Sequence, residues 1–161
     1  MALKDPADPV IRDALRVAAA LHDVPYDLLK AVAWHESRYT VTAKSGVGAQ
    51  GLMQILPRTA EALGIDPWDP AQAAEGAARM LKRLHAKYGG SWAHALAAYN
   101  WGPGNVNGAM SPREWPTNTQ TYVRKILIDA GLKSPFGKLA ELFNVFAGSF
   151  LRPVPNPFVG K

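Results

Sequence analysis

The sequence contains no cysteine, which excludes a disulfide framework and any thiolate-bound metal. Its four histidines, His22, His35, His85 and His94, show no ligand spacing, and there is no HExxH pattern. We therefore expect no metal and no cofactor. No stretch reaches the roughly 18 consecutive apolar residues that a spanning helix needs. The opening MALKDPADP lacks the apolar core of a secretory leader, so no signal peptide is expected. Alternating β-branched runs are scarce, which argues against sheet architecture. The GK[ST] ending of a phosphate loop is missing. The formal net charge is +5, but lysines and arginines are scattered and form no basic tract. A basic surface favours anionic partners. Without a tract or a known motif, nucleic acid is not expected.

What is present fits one helical domain. The chain has 161 residues, 48% of them hydrophobic and 19% charged, enough for a single sizeable core. Alanine-rich windows predict a mainly α fold. Helices are predicted over Pro9–His22 (capped by Asp8, with proline at the first position), Pro25–Ser37, Pro57 to near Gly64, Pro70–Tyr88 (capped by Asp69, stopped by Gly89-Gly90), Trp92 to about Tyr99 (capped by Ser91), and Tyr122–Ala130. Arg38–Gln50 and Gly108–Thr121 read as loops.

The stretch from Leu28 to Pro57 carries the chemistry. Helical neighbours of Glu36 at three, four, seven and eight positions back are Ala33, Val32, Leu29 and Leu28, all apolar. Glu36 thus ends a core-facing stripe. Burial there would raise its pKa and fit it for general-acid work; a terminal glutamate reaching out to solvent is the alternative. The glycines 46, 48 and 51 that follow permit tight turns and close approach of a ligand. Further on, Ala98-Tyr99-Asn100-Trp101-Gly102-Pro103-Gly104-Asn105 ends a helix with aromatics and amides together. A carbohydrate groove needs that mixture, although an aromatic packing corner at a helix end would look the same.

Three motifs occur in a telling order: Glu36-Ser37, then Gly48-Ala49-Gln50-Gly51-Leu52-Met53-Gln54, then Ala98-Tyr99-Asn100. Together with the uninterrupted SGVGAQGLMQILPRTA from Ser45 to Ala60, they resemble the lytic transglycosylase SLT domain of the goose-type lysozyme-like superfamily, over roughly Pro9 to Leu132. The resemblance implies a lysozyme-like helical domain over 1–132 and a separate extension over 133–161. It implies Glu36 as the catalytic acid, held by Ser37, with Met53, Gln54, Tyr99 and Asn100 contacting substrate and Tyr122 near the acid. Gln54, polar within an apolar run, needs a partner, and a bound sugar or Glu36 would serve. The implied substrate is the peptidoglycan glycan strand. It would be cut between N-acetylmuramic acid and N-acetylglucosamine by a non-hydrolytic, 1,6-anhydro-forming reaction. Hydrolysis by a goose-type-like lysozyme is the close alternative, and a non-catalytic peptidoglycan-binding virion module is another. The sequence departs from the family in one place. Many members carry Pro-Glu-Thr just before that tyrosine, and here Asn118-Thr119 stands there. This puts in doubt any mechanism that needs a second acid at that position.

In the extension, Phe136, Leu139, Ala140, Phe143, Ala147, Phe150 and Leu151 share one helical face. That face would pack on the domain or, over 136–151, meet an envelope, membrane or partner surface. Residues 152–158 (RPVPNPF) read as extended. The expectation for the whole is a monomeric phage lysis or virion protein, made in the cytoplasm and acting on the bacterial cell wall.

Overall fold

The computed structural model describes residues 3–136. The expected helix over 136–151 and the proline-rich end lie outside the described residues from 137 onward. Among the described residues there are six α-helices and no strand. They are α1 (Pro9–His22), α2 (Tyr26–Ser37), α3 (Pro57–Leu63), α4 (Pro70–Lys87), α5 (Trp92–Trp101) and α6 (Thr117–Asp129), with one 3-10 turn at Pro112–Glu114.

Local chemistry sets most of these boundaries. Asp8 accepts from the Val10 amide at 2.8 Å and Pro9 opens α1, while Asp23 in the left-handed region closes it. Asp69 accepts from the Gln72 amide at 2.9 Å and starts α4. Ser91 caps α5 through the His94 amide. Each cap satisfies a backbone donor that the helix itself leaves open.

Two boundaries differ from the sequence reading by more than one residue. α5 continues through Trp101, and α6 begins at Thr117 rather than Tyr122. The stretch Thr117–Thr121 shows no apolar periodicity, so it reads as a loop. In the structure Thr119 is fully buried and extends the inward face formed by Val123, Ile126 and Leu127. A threonine with a buried partner thus stands where the pattern would call for an apolar residue.

α2 is the central rod. Leu28, Leu29, Ala31, Val32 and Ala33 are all completely buried. α1 and α6 pack against it, α4 packs along α1, and α5 packs between α4 and α6. α4 buries mainly alanines (Ala73, Ala74, Ala77 and Ala78) and α1 buries Ala18 and Ala19 beside Ile11 and Leu15, and such small side chains permit close helix approach. Burying a leucine of the α2 stripe is worth about 1.5–3 kcal/mol, so the stripe that ends at Glu36 also anchors the domain.

Residues 38–56 form a compact loop under α2. Gln50 and Ile55 exchange backbone hydrogen bonds of 3.0 Å in both directions. Gly51 has φ +74°, and a Cβ there would lie 1.8 Å from the Pro67 carbonyl oxygen. Only glycine fits that contact.

Candidate active site

Glu36 lies in the last turn of α2, half-buried at the end of the apolar stripe. The Tyr122 hydroxyl of α6 donates to its Oε1 at 2.7 Å. Burial pushes the carboxyl from its usual value near 4.5 up to about 8, with the Tyr122 hydrogen bond pulling the other way. The α2 macrodipole also disfavours negative charge at its C-terminal end. The nearest cation in sequence, Arg38, lies over the Trp34 ring, 4.5 Å from its centroid. Glu36 therefore holds its proton near neutral pH, while its partial exposure leaves that proton within reach of a ligand.

The surroundings are hydroxyls. Burial first, and the Glu36 charge second, push both the Tyr99 and Tyr122 hydroxyls well above their usual range. They remain donors throughout the working pH range. Tyr99 is fully buried and donates to the Met53 carbonyl at 2.9 Å. Ser37 donates to the Leu52 carbonyl at 2.7 Å, with the Ala33 carbonyl at 3.2 Å. Two consecutive loop carbonyls are thus held by hydroxyls from α2 and α5, which fixes the loop beneath the acid.

Gln54 finds partners within its own loop. It is buried, has φ +49°, and its Nε2 donates to the carbonyls of Ala43 at 3.1 Å and Gly51 at 3.0 Å. The left-handed backbone turns this side chain back onto its own loop, so the loop satisfies it rather than Glu36. The Met53 side chain is fully buried. Asn100 is also buried, and its Oδ1 accepts from the Thr119 hydroxyl at 3.1 Å. That bond fixes the amide and leaves Nδ2 as its donor.

Of the residues singled out in the sequence, Glu36 and Tyr122 touch directly. Ser37, Met53 and Tyr99 are joined through the 52–53 backbone, whereas Gln54 and Asn100 make their bonds elsewhere. Sequence reasoning gave no role to Thr119, although it stands at the threonine of the Pro-Glu-Thr stretch that many family members carry. It also gave His35 no role. Its ring is largely buried, with Nε2 2.7 Å from Asp129 Oδ2. A carboxylate only accepts, so Nε2 carries the proton.

Other acids near these motifs in the sequence are engaged elsewhere or exposed. Asp23 pairs with Lys82 at 2.6 Å and Asp27 with Lys30 at 2.7 Å. Asp66 and Asp69 cap backbone amides, and Glu61 is exposed. Asn118 is exposed as well. Among the described residues, no group of three or more histidines and acids could hold a metal ion. A cavity of about 540 Å³ opens near Asp23, Tyr26, Lys82, His85 and Trp92, away from Glu36. Its Lys82 and Arg16 are already paired with Asp23 and Asp5. Glu36, the carboxyl that keeps its proton, does not line this cavity.

The site is therefore a helical domain presenting one protonated carboxyl over a hydroxyl-rich floor. The profile of the transglycosylase SLT domain family matches residues 13–120, and the chain belongs to that family. It is 37% identical over 141 residues to the peptidoglycan transglycosylase gp16 of Escherichia phage T7, covering 78% of this chain and 10% of that protein. It is 32% identical over 137 residues to the transglycosylase of Enterobacteria phage PRD1, covering 84% of this chain and 48% of that one. Among solved structures, an inactive mutant of the lytic transglycosylase Slt from Pseudomonas aeruginosa superposes with a TM-score of 0.63 at 25% identity, covering 77% of this chain and 25% of that one. The chain thus spans from a tenth to about half the length of these phage relatives. No described helix is long and apolar enough to cross a membrane.

Proposed function

We propose that this domain cleaves peptidoglycan between N-acetylmuramic acid and N-acetylglucosamine without water, leaving a 1,6-anhydro end. The observation that carries the reading is the lone carboxyl of Glu36, raised to about 8 and bonded to Tyr122. The name of the phage T7 relative supports peptidoglycan as the substrate class, and it suits a setting in which the chain meets a bacterial wall. Every group in the site comes from one chain, so a monomer suffices.

In this mechanism Glu36 gives its proton to the glycosidic oxygen as the bond to the muramic anomeric carbon breaks. The N-acetylglucosamine side leaves as a free hydroxyl. The oxocarbenium-like centre left behind is steadied by the substrate's own N-acetyl oxygen. Glu36, now ionised and bonded by Tyr122, takes the proton of the muramic C6 hydroxyl. The C6 oxygen closes onto the anomeric carbon, and Glu36 is protonated again. One group with a pKa near the working pH serves in both directions. A two-carboxylate hydrolase would need a second acid roughly 5–9.5 Å away, and the acids weighed for that role are paired, capping or exposed.

Substrate contact is assigned to the Asn100 amide and the backbone around Met53 and Gln54, with Tyr99 and Ser37 holding that backbone. The test is mass spectrometry of the fragments released from purified peptidoglycan by the wild type and by Glu36→Gln. Fragments lighter by one water, absent with the variant, are expected. Reducing-end fragments would mean a hydrolase. Equal release by the variant would remove Glu36 from the mechanism.

A further inference from the structure

We propose that His35 and Asp129 form a positioning pair that holds the Tyr122 hydroxyl on the Glu36 carboxyl. The inference rests on the reading of Glu36 as the acid and base.

α2 presents His35 and Glu36 side by side in its last turn, while α6 presents Tyr122 and Asp129 at opposite ends of one stripe. Positions 122, 126 and 129 share a helix face, and Ile126 between them is completely buried. The two contacts are equally short: Tyr122 to Glu36 at 2.7 Å, and His35 to Asp129 at 2.7 Å. Neighbouring residues on α2 therefore fasten α6 at two points about two turns apart. A rod held at one point can swing, and one held at two points cannot. Without the second point on α2, the aim of the tyrosine would rest on apolar packing, which has no direction, and on the Thr119–Asn100 bond to α5.

The placement of Asp129 has no explanation within its own helix. An acid at a helix C-terminus opposes the macrodipole, and Asp129 is the last residue of α6. The favourable partner is His35, a basic group in the last turn of α2. The side chains keep only 12% and 28% exposure, so solvent screens this pair less than a surface one.

Among the described residues, few other titrating groups face these. Tyr99 from α5 and Tyr122 from α6 face Glu36. Tyr39, from the segment after α2, feels the Asp129 charge. All three hydroxyls are pushed up and stay neutral over the working range. Lys30 is occupied by Asp5 and Asp27, and Arg38 lies on Trp34.

The test follows the Glu36 carboxyl by carbon-13 NMR titration, with kcat and KM on peptidoglycan measured alongside. The proteins are wild type, Tyr122→Phe, Asp129→Ala, the double variant and Asp129→Asn. A hydrogen bond to an ionised group is worth about one pH unit of titration. Asp129→Ala is expected to move the Glu36 midpoint upward by up to that amount, in the same direction as Tyr122→Phe. It should also lower kcat roughly tenfold with KM little changed. In the Tyr122→Phe background it should add nothing. Asp129→Asn keeps an acceptor for His35 and should restore the wild-type titration. A midpoint unmoved in Asp129→Ala, or moved equally in both backgrounds, overturns the proposal. If circular dichroism shows Asp129→Ala unfolded, His35→Ala and His35→Gln make the same test from α2. Retained turnover in Glu36→Gln would defeat the catalytic reading instead, and the titration would still report on the pair.

Discussion

Lys30 and Glu36 share one helix and one problem, since both are ionisable groups pressed into the interior of α2. Lys30 is only 4% exposed. Asp27 at 2.7 Å and Asp5 at 3.1 Å meet its ammonium. Burial works against its charge, but the two carboxylates prevail and its pKa rises. Asp5 in turn is held below its usual value, chiefly by the hydrogen bond from Lys30. Among the described residues no cation pairs with Glu36, which receives one hydroxyl, so burial prevails and the proton stays. Burial alone does not make a catalytic group. The partner decides whether a buried charge becomes a strut or a proton store.

The largest break in this contrast comes from the acid itself. Glu36→Gln keeps the shape and loses the proton, and turnover should fall by roughly 10²–10⁴-fold. Its stability should respond in the opposite way. A carboxyl whose folded pKa is raised binds more protons when folded than when unfolded. The wild type therefore loses stability as pH rises from the ordinary carboxylate range to about 8. That loss is on the order of 3 kcal/mol after allowing for partial exposure. Urea melts across this range should show the fall in wild type and not in Glu36→Gln.

On the Lys30 side, Asp5→Asn with Asp27→Asn strips the ammonium of both partners. Because those carboxylates are partly exposed, the cost should be about 1–3 kcal/mol, read as a lower urea midpoint at pH 7. The sign with pH is reversed here. The Asp5 contribution is complete above the usual carboxylate pKa and fades as pH falls through the lowered value. Activity per folded molecule should not change, since these groups lie away from Glu36.

Gly51→Ala should also cost about 1–3 kcal/mol, because both its backbone angle and the Pro67 carbonyl oppose a Cβ. It should lower turnover too, since the loop carries the carbonyls held by Ser37 and Tyr99. Thr119→Val leaves the buried Asn100 Oδ1 without its donor and should cost about 1–2 kcal/mol. The smallest effect belongs to Asn118→Ala. That side chain is exposed, and stability should stay within about 0.5 kcal/mol.

The difference between the two sides also marks what the sequence could tell. Caps such as Asp8, Asp69 and Ser91 act on their own helices, so they could be read locally. The stripe Leu28, Leu29, Val32 and Ala33 pointed inward, and all four are buried. What stayed hidden depends on distant partners. Thr119 is buried because Asn100 receives its hydroxyl, so α6 starts earlier than its pattern shows. Gln54 turns back onto Ala43 and Gly51 because its backbone is left-handed, which no periodicity reveals. The pairing of His35 was hidden because Asp129 stands 94 positions away in the chain. Tyr122 could be tied to Glu36 only through the family resemblance, since spacing along the chain does not connect them.

The most direct measurement is the wild-type Glu36 carboxyl titration itself, followed by carbon-13 NMR in the folded protein. A midpoint about 8 is predicted, showing an acid that carries its proton at neutral pH. A midpoint near the ordinary 4.5 would mean that Glu36 is already ionised. It would then hold no proton to give, and the single-acid account would fall.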